Sequence, residues 1–155
     1  MEKIQSFTVN HEKLKSGLYV SRKDAFNGTV TTTFDVRFKM PNKEPVMSYS
    51  AIHTIEHLGA TFLRNSNFKD RIIYFGPMGC RTGFYLVVFG DLSVSDIYPL
   101  IVSTLSFIIN YNGEIPGATP VECGNYSEQD LNGAKIYAKE YLDRLVTQKN
   151  FEYEE

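Results

Sequence analysis

Apolar positions along this chain follow two different periods. Between Met47 and Asn65 they recur at helical spacing, as Ile52, Ile55, Leu58, Phe62 and Leu63, and predict an amphipathic helix entered after the breaks at Pro41 and Pro45. Between Thr29 and Met40 they alternate: Phe34, Val36 and Phe38 are separated by Asp35 and Arg37, with Gly28 as the preceding turn. That is the period of a half-buried strand, and it places Arg37 on the face opposite the apolar row, at the rim of something polar. Gly17 to Arg22 reads as a short strand, and Arg71 to Phe75 and Thr82 to Gly90 as strands flanking the turn Gly76-Pro77-Met78-Gly79-Cys80-Arg81. Ser93 is an N-cap for a helix from about Val94 to Tyr111. Ser127, with Asp130 three residues on, opens another from about Glu128 to Thr147, after the irregular stretch Asn112 to Tyr126. Strands and helices do not alternate regularly, so the expected fold class is α+β, with helices packed on a largely antiparallel sheet.

No repeat, low-complexity tract or linker divides the 155 residues, and one domain over 1–155 is expected. Charged residues make up 22% of the chain and the net charge is −2, without a Lys/Arg block, which argues against nucleic acid or an anionic membrane and for a small ligand. The charged start Met1-Glu2-Lys3 does not suit a secretory leader. The most apolar stretch, Leu100 to Ile109, is broken by Ser103, Thr104 and Ser106 and falls well short of the roughly 20 residues of a membrane span. The cytoplasm is the expected location. In that reducing compartment a lone Cys80–Cys123 disulfide is disfavoured, and metal binding or catalysis is the better use of the two thiols.

His53-Thr54-Ile55-Glu56-His57 puts two imidazoles one above the other on a helix, within reach of one metal ion, with Glu56 placed to act as a base beside it. The plainer reading of such a pair is two solvated histidines on an exposed face. A catalytic ion of this kind takes three protein ligands and keeps one position open. Cys123, in Glu122-Cys123-Gly124-Asn125, is the candidate third ligand, with Gly124 permitting close backbone approach; its ordinary fate would be a small buried hydrophobe. Cys80 sits in a glycine-rich turn that exposes the sulfur, where Arg81 or another cation favours the thiolate. A loop cysteine of no consequence, or a fourth metal ligand, fits the pattern equally. On pattern alone Ser6 and His11 are surface residues and Arg37 a solvated charge.

Taken together, His53-Thr-Ile-Glu-His57-Leu58, Pro77-Met-Gly-Cys80-Arg-Thr-Gly-Phe-Tyr-Leu86, and Cys123-Gly124 followed by Asp130-Leu131-Asn132-Gly133-Ala134-Lys135 resemble the S-ribosylhomocysteine lyase (LuxS) family. Ser6-Phe7 with His11, and Phe34-Asp35-Val36-Arg37-Phe38 followed by Pro41-Asn42-Lys43, extend the resemblance over nearly the whole chain. It implies metal ligands His53, His57 and Cys123, an acid/base pair Cys80 and Glu56, and a substrate pocket lined by Ser6, His11 and Arg37, with Arg37 favouring the Cys80 thiolate. It further implies Fe(2+) as the working ion, one per subunit with zinc as a possible substitute, and a homodimer with active sites at the interface. The activity implied is cleavage of S-ribosylhomocysteine to homocysteine and 4,5-dihydroxy-2,3-pentanedione, the autoinducer-2 precursor. One departure stands out: Tyr74 lies three residues before the Pro-Met-Gly-Cys run, where some members carry an aspartate that helps hold the amino-acid end of the substrate. Two rivals remain. H-x-x-E-H is also the inverted zinc-peptidase signature, with Glu128 or Glu140 as third ligand. A closed site of two histidines and both cysteines would instead be a structural staple in a non-enzymatic domain.

Overall fold

Asn27 and Gly28 both take positive φ (48° and 78°), the two-residue turn whose twist suits a tight hairpin. It folds β1 (Gly17–Phe26) back onto β2 (Thr29–Arg37), in a computed structural model that describes residues 1–154. β1 runs four residues beyond the predicted Arg22. Those residues are exposed and hold their place through the ladder to Thr29–Thr32 and not through burial, so they carry no alternation to read. β3 (Ile72–Pro77) and β4 (Gly83–Phe89) complete an antiparallel sheet in the order β1-β2-β4-β3.

Three helices cover one face of that sheet: α1 (Tyr49–Arg64), α2 (Val94–Asn110) and α3 (Leu131–Gln148). The α+β expectation is met. Phe34, Val36 and Phe38 from β2 and its end, with Phe84, Leu86 and Val88 from β4, meet Ile52, Ile55 and Leu58 of α1, Ile97, Ile101 and Leu105 of α2, and Ala134 and Ala138 of α3 in one continuous core. Truncating one of these phenylalanines to alanine costs about 3–5 kcal/mol. Ser93 caps α2 through a reciprocal capping box with Asp96, as its position predicts. No helix is long and apolar enough to cross a membrane.

The strand β2 departs from expectation on its second face. Asp35 and Arg37 are only 2% and 3% exposed, so β2 is buried on both sides and Arg37 is neither a solvated charge nor at a rim. The outer face here is covered by the buried ring of Tyr19 and by Tyr153 stacked upon it, and the charge is accommodated because Asp35 pairs with it. On a strand, residues i and i+2 share a face, so the pairing follows from the sequence spacing; the covering aromatics lie far away in the chain.

Candidate functional site

Ser48 caps α1 by accepting from Ala51 N (3.3 Å), and the helix then presents His53 and His57 on adjacent turns. Each ring is held from behind by a main-chain carbonyl: His53 Nδ1 lies 2.8 Å from Glu128 O and His57 Nδ1 2.7 Å from Pro116 O. A carbonyl can only accept, so each Nδ1 is placed to donate, which turns both Nε2 atoms inward as the ring atoms available to a metal. Those two nitrogens are 3.0 Å apart, close enough to share one ion. Cys123 Sγ completes the group, 3.4 Å from His53 Nε2, and the three donor atoms all fall within 4.8 Å of one another. Two imidazole nitrogens and a soft sulfur suit zinc or iron, so the residues present fit a divalent transition metal. Three ligands, not four, leave a coordination position open.

The third ligand comes from the irregular stretch between α2 and α3, and the site shapes that stretch. Cys123 N donates to Thr119 O (3.0 Å), closing a turn that sets the sulfur, and Asn125 N lies 3.5 Å from it. α3 starts at Leu131, three residues later than predicted, with Asp130 and not Ser127 as its cap. The delay has a cause: Glu128 lends its carbonyl to His53, Thr54 Oγ1 donates to Gln129 Oε1 (2.7 Å), and Asp130 N donates to Thr54 Oγ1 (2.9 Å). These residues dock on α1 when they would otherwise have begun α3. The glycine that close approach requires is Gly117 and not Gly124: a Cβ on Gly117 would sit 3.3 Å from His57 Nδ1 and its φ is +72°, whereas nothing lies within 4 Å of one on Gly124. Only the Pro116-Gly117 turn pair in an otherwise irregular stretch hints at this from sequence.

Glu56 lines the same open cleft of about 520 Å³ as His53, His57, Cys123 and Glu122. Cys80 is not among the residues lining it. Both cysteines are free, and Cys80 is exposed in the β3–β4 loop. Its surroundings are nonetheless built. Arg37 Nη1 faces Sγ at 3.9 Å and donates to Thr82 Oγ1 at 2.7 Å, while Thr82 Oγ1 and Sγ are 3.1 Å apart. Asp35 grips the same guanidinium twice, Arg37 Nε to Oδ1 at 3.0 Å and Nη2 to Oδ2 at 2.7 Å. Burial works against the Arg37 charge, but Asp35 and, to a lesser degree, the Cys80 sulfur hold the guanidinium above its ordinary value. The cation beside the thiol is therefore Arg37. Arg81 turns elsewhere, over the Tyr49 ring at 4.3 Å.

Ser6 lies in a single 3-10 turn, Gln5–Phe7, and lines a different cavity of about 320 Å³ on the outer face of the sheet, together with Tyr74, Tyr85 and Arg22. His11 Nδ1 contacts Val9 O at 2.9 Å, close to its own backbone. Within one chain, then, the predicted residues form three groups, the candidate ligands with Glu56, Cys80 with Arg37, and Ser6 on the outer face beside Tyr74, while His11 contacts its own segment. Sequence reasoning missed Asp35, Thr82 and the Pro116 and Glu128 carbonyls, all of which act by holding another residue.

The rivals lose their required ligands. Glu140 is engaged by Lys39 Nζ at 2.8 Å, the Glu128 side chain bonds Asn125, and among the described residues the group that could hold a metal ion comprises His53, His57 and Cys123, without Cys80. A candidate centre of two nitrogens and one sulfur, on an H-x-x-E-H helix laid against an antiparallel sheet, differs in its donor set from the inverted zinc peptidases. The family model described as S-Ribosylhomocysteinase (LuxS) matches residues 4–152. The chain is 53% identical to the S-ribosylhomocysteine lyase of Finegoldia magna over 157 residues, covering 100% of both chains. Against the S-ribosylhomocysteine lyase of Borreliella burgdorferi it is 51% identical over 156 residues, 99% of each. Against that of Clostridium acetobutylicum it is 54% identical over 142 residues, 91% of this chain and 90% of the relative. The chain belongs to the S-ribosylhomocysteinase (LuxS) family.

Proposed function

We propose that this protein is a carbon–sulfur lyase that cleaves S-ribosylhomocysteine to homocysteine and 4,5-dihydroxy-2,3-pentanedione, the precursor of autoinducer-2. The observation that carries the reading is the cluster of His53 Nε2, His57 Nε2 and Cys123 Sγ within 4.8 Å, open on one side. The thioether of the substrate is not activated as it stands. Elimination needs an acidic proton next to a carbonyl, so the carbonyl must move from carbon 1 to carbon 2 and then to carbon 3 before loss of the carbon 4 proton expels homocysteine from carbon 5. Each shift takes a proton from one carbon and returns one to its neighbour.

Two side chains suit that traffic. Glu56, in the ligand cleft, and Cys80, beside Arg37, serve as the acid/base pair, each able to accept and to return a proton. Arg37 Nη1 stands 3.9 Å from the Cys80 sulfur, where a positive charge faces the reacting atom. A divalent ion held by His53, His57 and Cys123 supplies Lewis acidity toward the sugar oxygens without changing oxidation state. Iron(II) is the working ion in this reading, with zinc as a substitute; ligand type alone admits both.

Ser6, His11 and Arg37 contact the substrate, and a homodimer brings them to the site. What supports this is the separation within one chain: Ser6 lines the outer-face cavity while the ligands line their own cleft. A second copy apposed at the sheet supplies the missing side. Tyr74, half exposed beside Ser6, then stands where the amino-acid end of the substrate is held. We place the enzyme in the cytoplasm, on the reducing environment its free thiols require.

The test is anaerobic incubation of the iron-loaded and zinc-loaded protein with S-ribosylhomocysteine while released thiol is titrated. Release well above a Cys80→Ala control, faster with iron, is expected. Release equal to that control refutes the assignment, and a monomer in sedimentation refutes the shared site.

A further inference from the structure

The end of the chain returns to the sheet after α3. Lys149 turns it with a left-handed backbone (φ 51°), and Asn150 ties it down, its carbonyl accepting from Leu18 N at 3.0 Å and its Nδ2 donating to Ser16 O at 2.9 Å. Phe151 sits edge-on to Tyr98, and Tyr153 stacks on Tyr19 with centroids 4.6 Å apart and planes 12° from parallel. This lays the Tyr153 hydroxyl 3.0 Å from Asp35 Oδ2, the same oxygen that accepts from Arg37 Nη2. Arg37 in turn faces Cys80 and Thr82. Hydrogen-bonded and charged contacts thus run unbroken from the C-terminal tail to the exposed thiol.

From this connected set we propose that Tyr153 is a positioning residue for Cys80, acting through Asp35 and Arg37. A carboxylate that held the guanidinium alone would absorb more of its positive charge. The hydroxyl donated to Oδ2 takes up part of the Asp35 charge and fixes the carboxylate plane, leaving more of the Arg37 field at the sulfur and Nη1 aimed toward it. The phenol is a dependable donor, because burial, and then the charge of Asp35, keep it protonated well above the usual tyrosine range. Tyr19, Tyr85 and Tyr141, the other phenols that feel the pair, are held protonated by burial first and then by the same carboxylate, so they do not exchange this role with pH. Arg22, close to Tyr85, is tied to Asp24 by an ion pair at 2.9 Å, and Glu154 is bonded by Lys15.

The proposal rests on Cys80 as a working thiol, but its test does not use turnover, so either can fail without the other. Metal-loaded wild type, Tyr153→Phe and Tyr153→Ala are carbamidomethylated with iodoacetamide across a pH series, and Cys80 and Cys123 are quantified separately by peptide mass spectrometry. Tyr153→Phe keeps the ring on Tyr19 and removes only the hydroxyl. The expected result is a Cys80 profile displaced upward by about half a pH unit, or roughly threefold slower modification near neutrality, with Cys123 unchanged. A Tyr153→Phe profile that coincides with wild type overturns the proposal, even if Tyr153→Ala shifts it, since that would mark packing alone. An equal change at Cys123 overturns it too, as a general loosening of the fold.

Discussion

The metal cleft and the Cys80 end of the sheet hold their reactive atoms by opposite means. In the cleft the imidazoles are fixed by main-chain carbonyls of Pro116 and Glu128, so the geometry depends on the path of an irregular segment more than on which side chains it carries. At the thiol the fixing groups are side chains, a buried Asp35–Arg37 pair with Thr82 beside it. The electrostatics differ in the same sense. Two inward ring nitrogens 3.0 Å apart offer themselves to a cation, whereas the Arg37 charge is already matched by Asp35. One centre has the donor set to take up an ion, and the other is a charge pair matched within the protein. Losses at one should therefore be separable from losses at the other.

The sharpest separation comes from the two cysteines. Cys123→Ala removes a ligand and should weaken metal binding by more than about 100-fold, with turnover falling with it, measured as metal content after dialysis and as thiol release. Cys80→Ala should keep a full complement of metal and lose about 10²–10⁴-fold in thiol release, the range for a positioned acid/base group. If Cys80→Ala also loses its metal, the two regions are one site, and the structural-staple rival returns.

The same contrast governs what sequence could tell. The helical period around His53 and the alternation in Phe34 to Phe38 each announce an apolar face, because burial against a layer imposes the period locally. The grouping of His53, His57 and Cys123 was legible for a similar reason: a metal needs fixed donor types, and His53 and His57 carry a fixed spacing. Arg37 was misread because its countercharge Asp35 lies under Tyr153, which comes from the far end of the chain to stack on Tyr19, and no local period reports a tail folding back. The start of α3 was misread because Glu128 and Gln129 serve α1 before they serve their own helix. Ser127 looks like a cap, and only tertiary contacts say that Asp130 is the one used. Gly117 escaped notice because the backbone, not the glycine, is what touches His57.

On the thiol side, Asp35→Ala tests whether side chains alone hold the arrangement. It leaves Arg37 buried, 3% exposed, without its countercharge, and breaking a buried pair in this way costs about 3–5 kcal/mol. Guanidinium unfolding should show that loss while the metal content of the folded fraction stays at wild-type level. A parallel loss of metal from folded protein would show that the sheet end and the cleft are coupled.

The smallest expected effect falls on the cleft, at Gly117→Ala. The change adds one methyl, yet it places a Cβ 3.3 Å from His57 Nδ1 on a backbone with φ +72°, a region that costs an alanine about 1 kcal/mol. Relief requires the Pro116 carbonyl to shift, and that carbonyl is what orients the His57 ring. Disturbing a partner behind a ligand lowers metal affinity by about 10-fold, so the variant should release metal to a competing chelator roughly that much more readily. The rate of Cys80 alkylation should not change, since no side chain of the thiol cluster is touched. If instead metal retention is unaffected and only stability drops, the imidazole is oriented by the helix itself, and the main chain of the irregular segment merely follows.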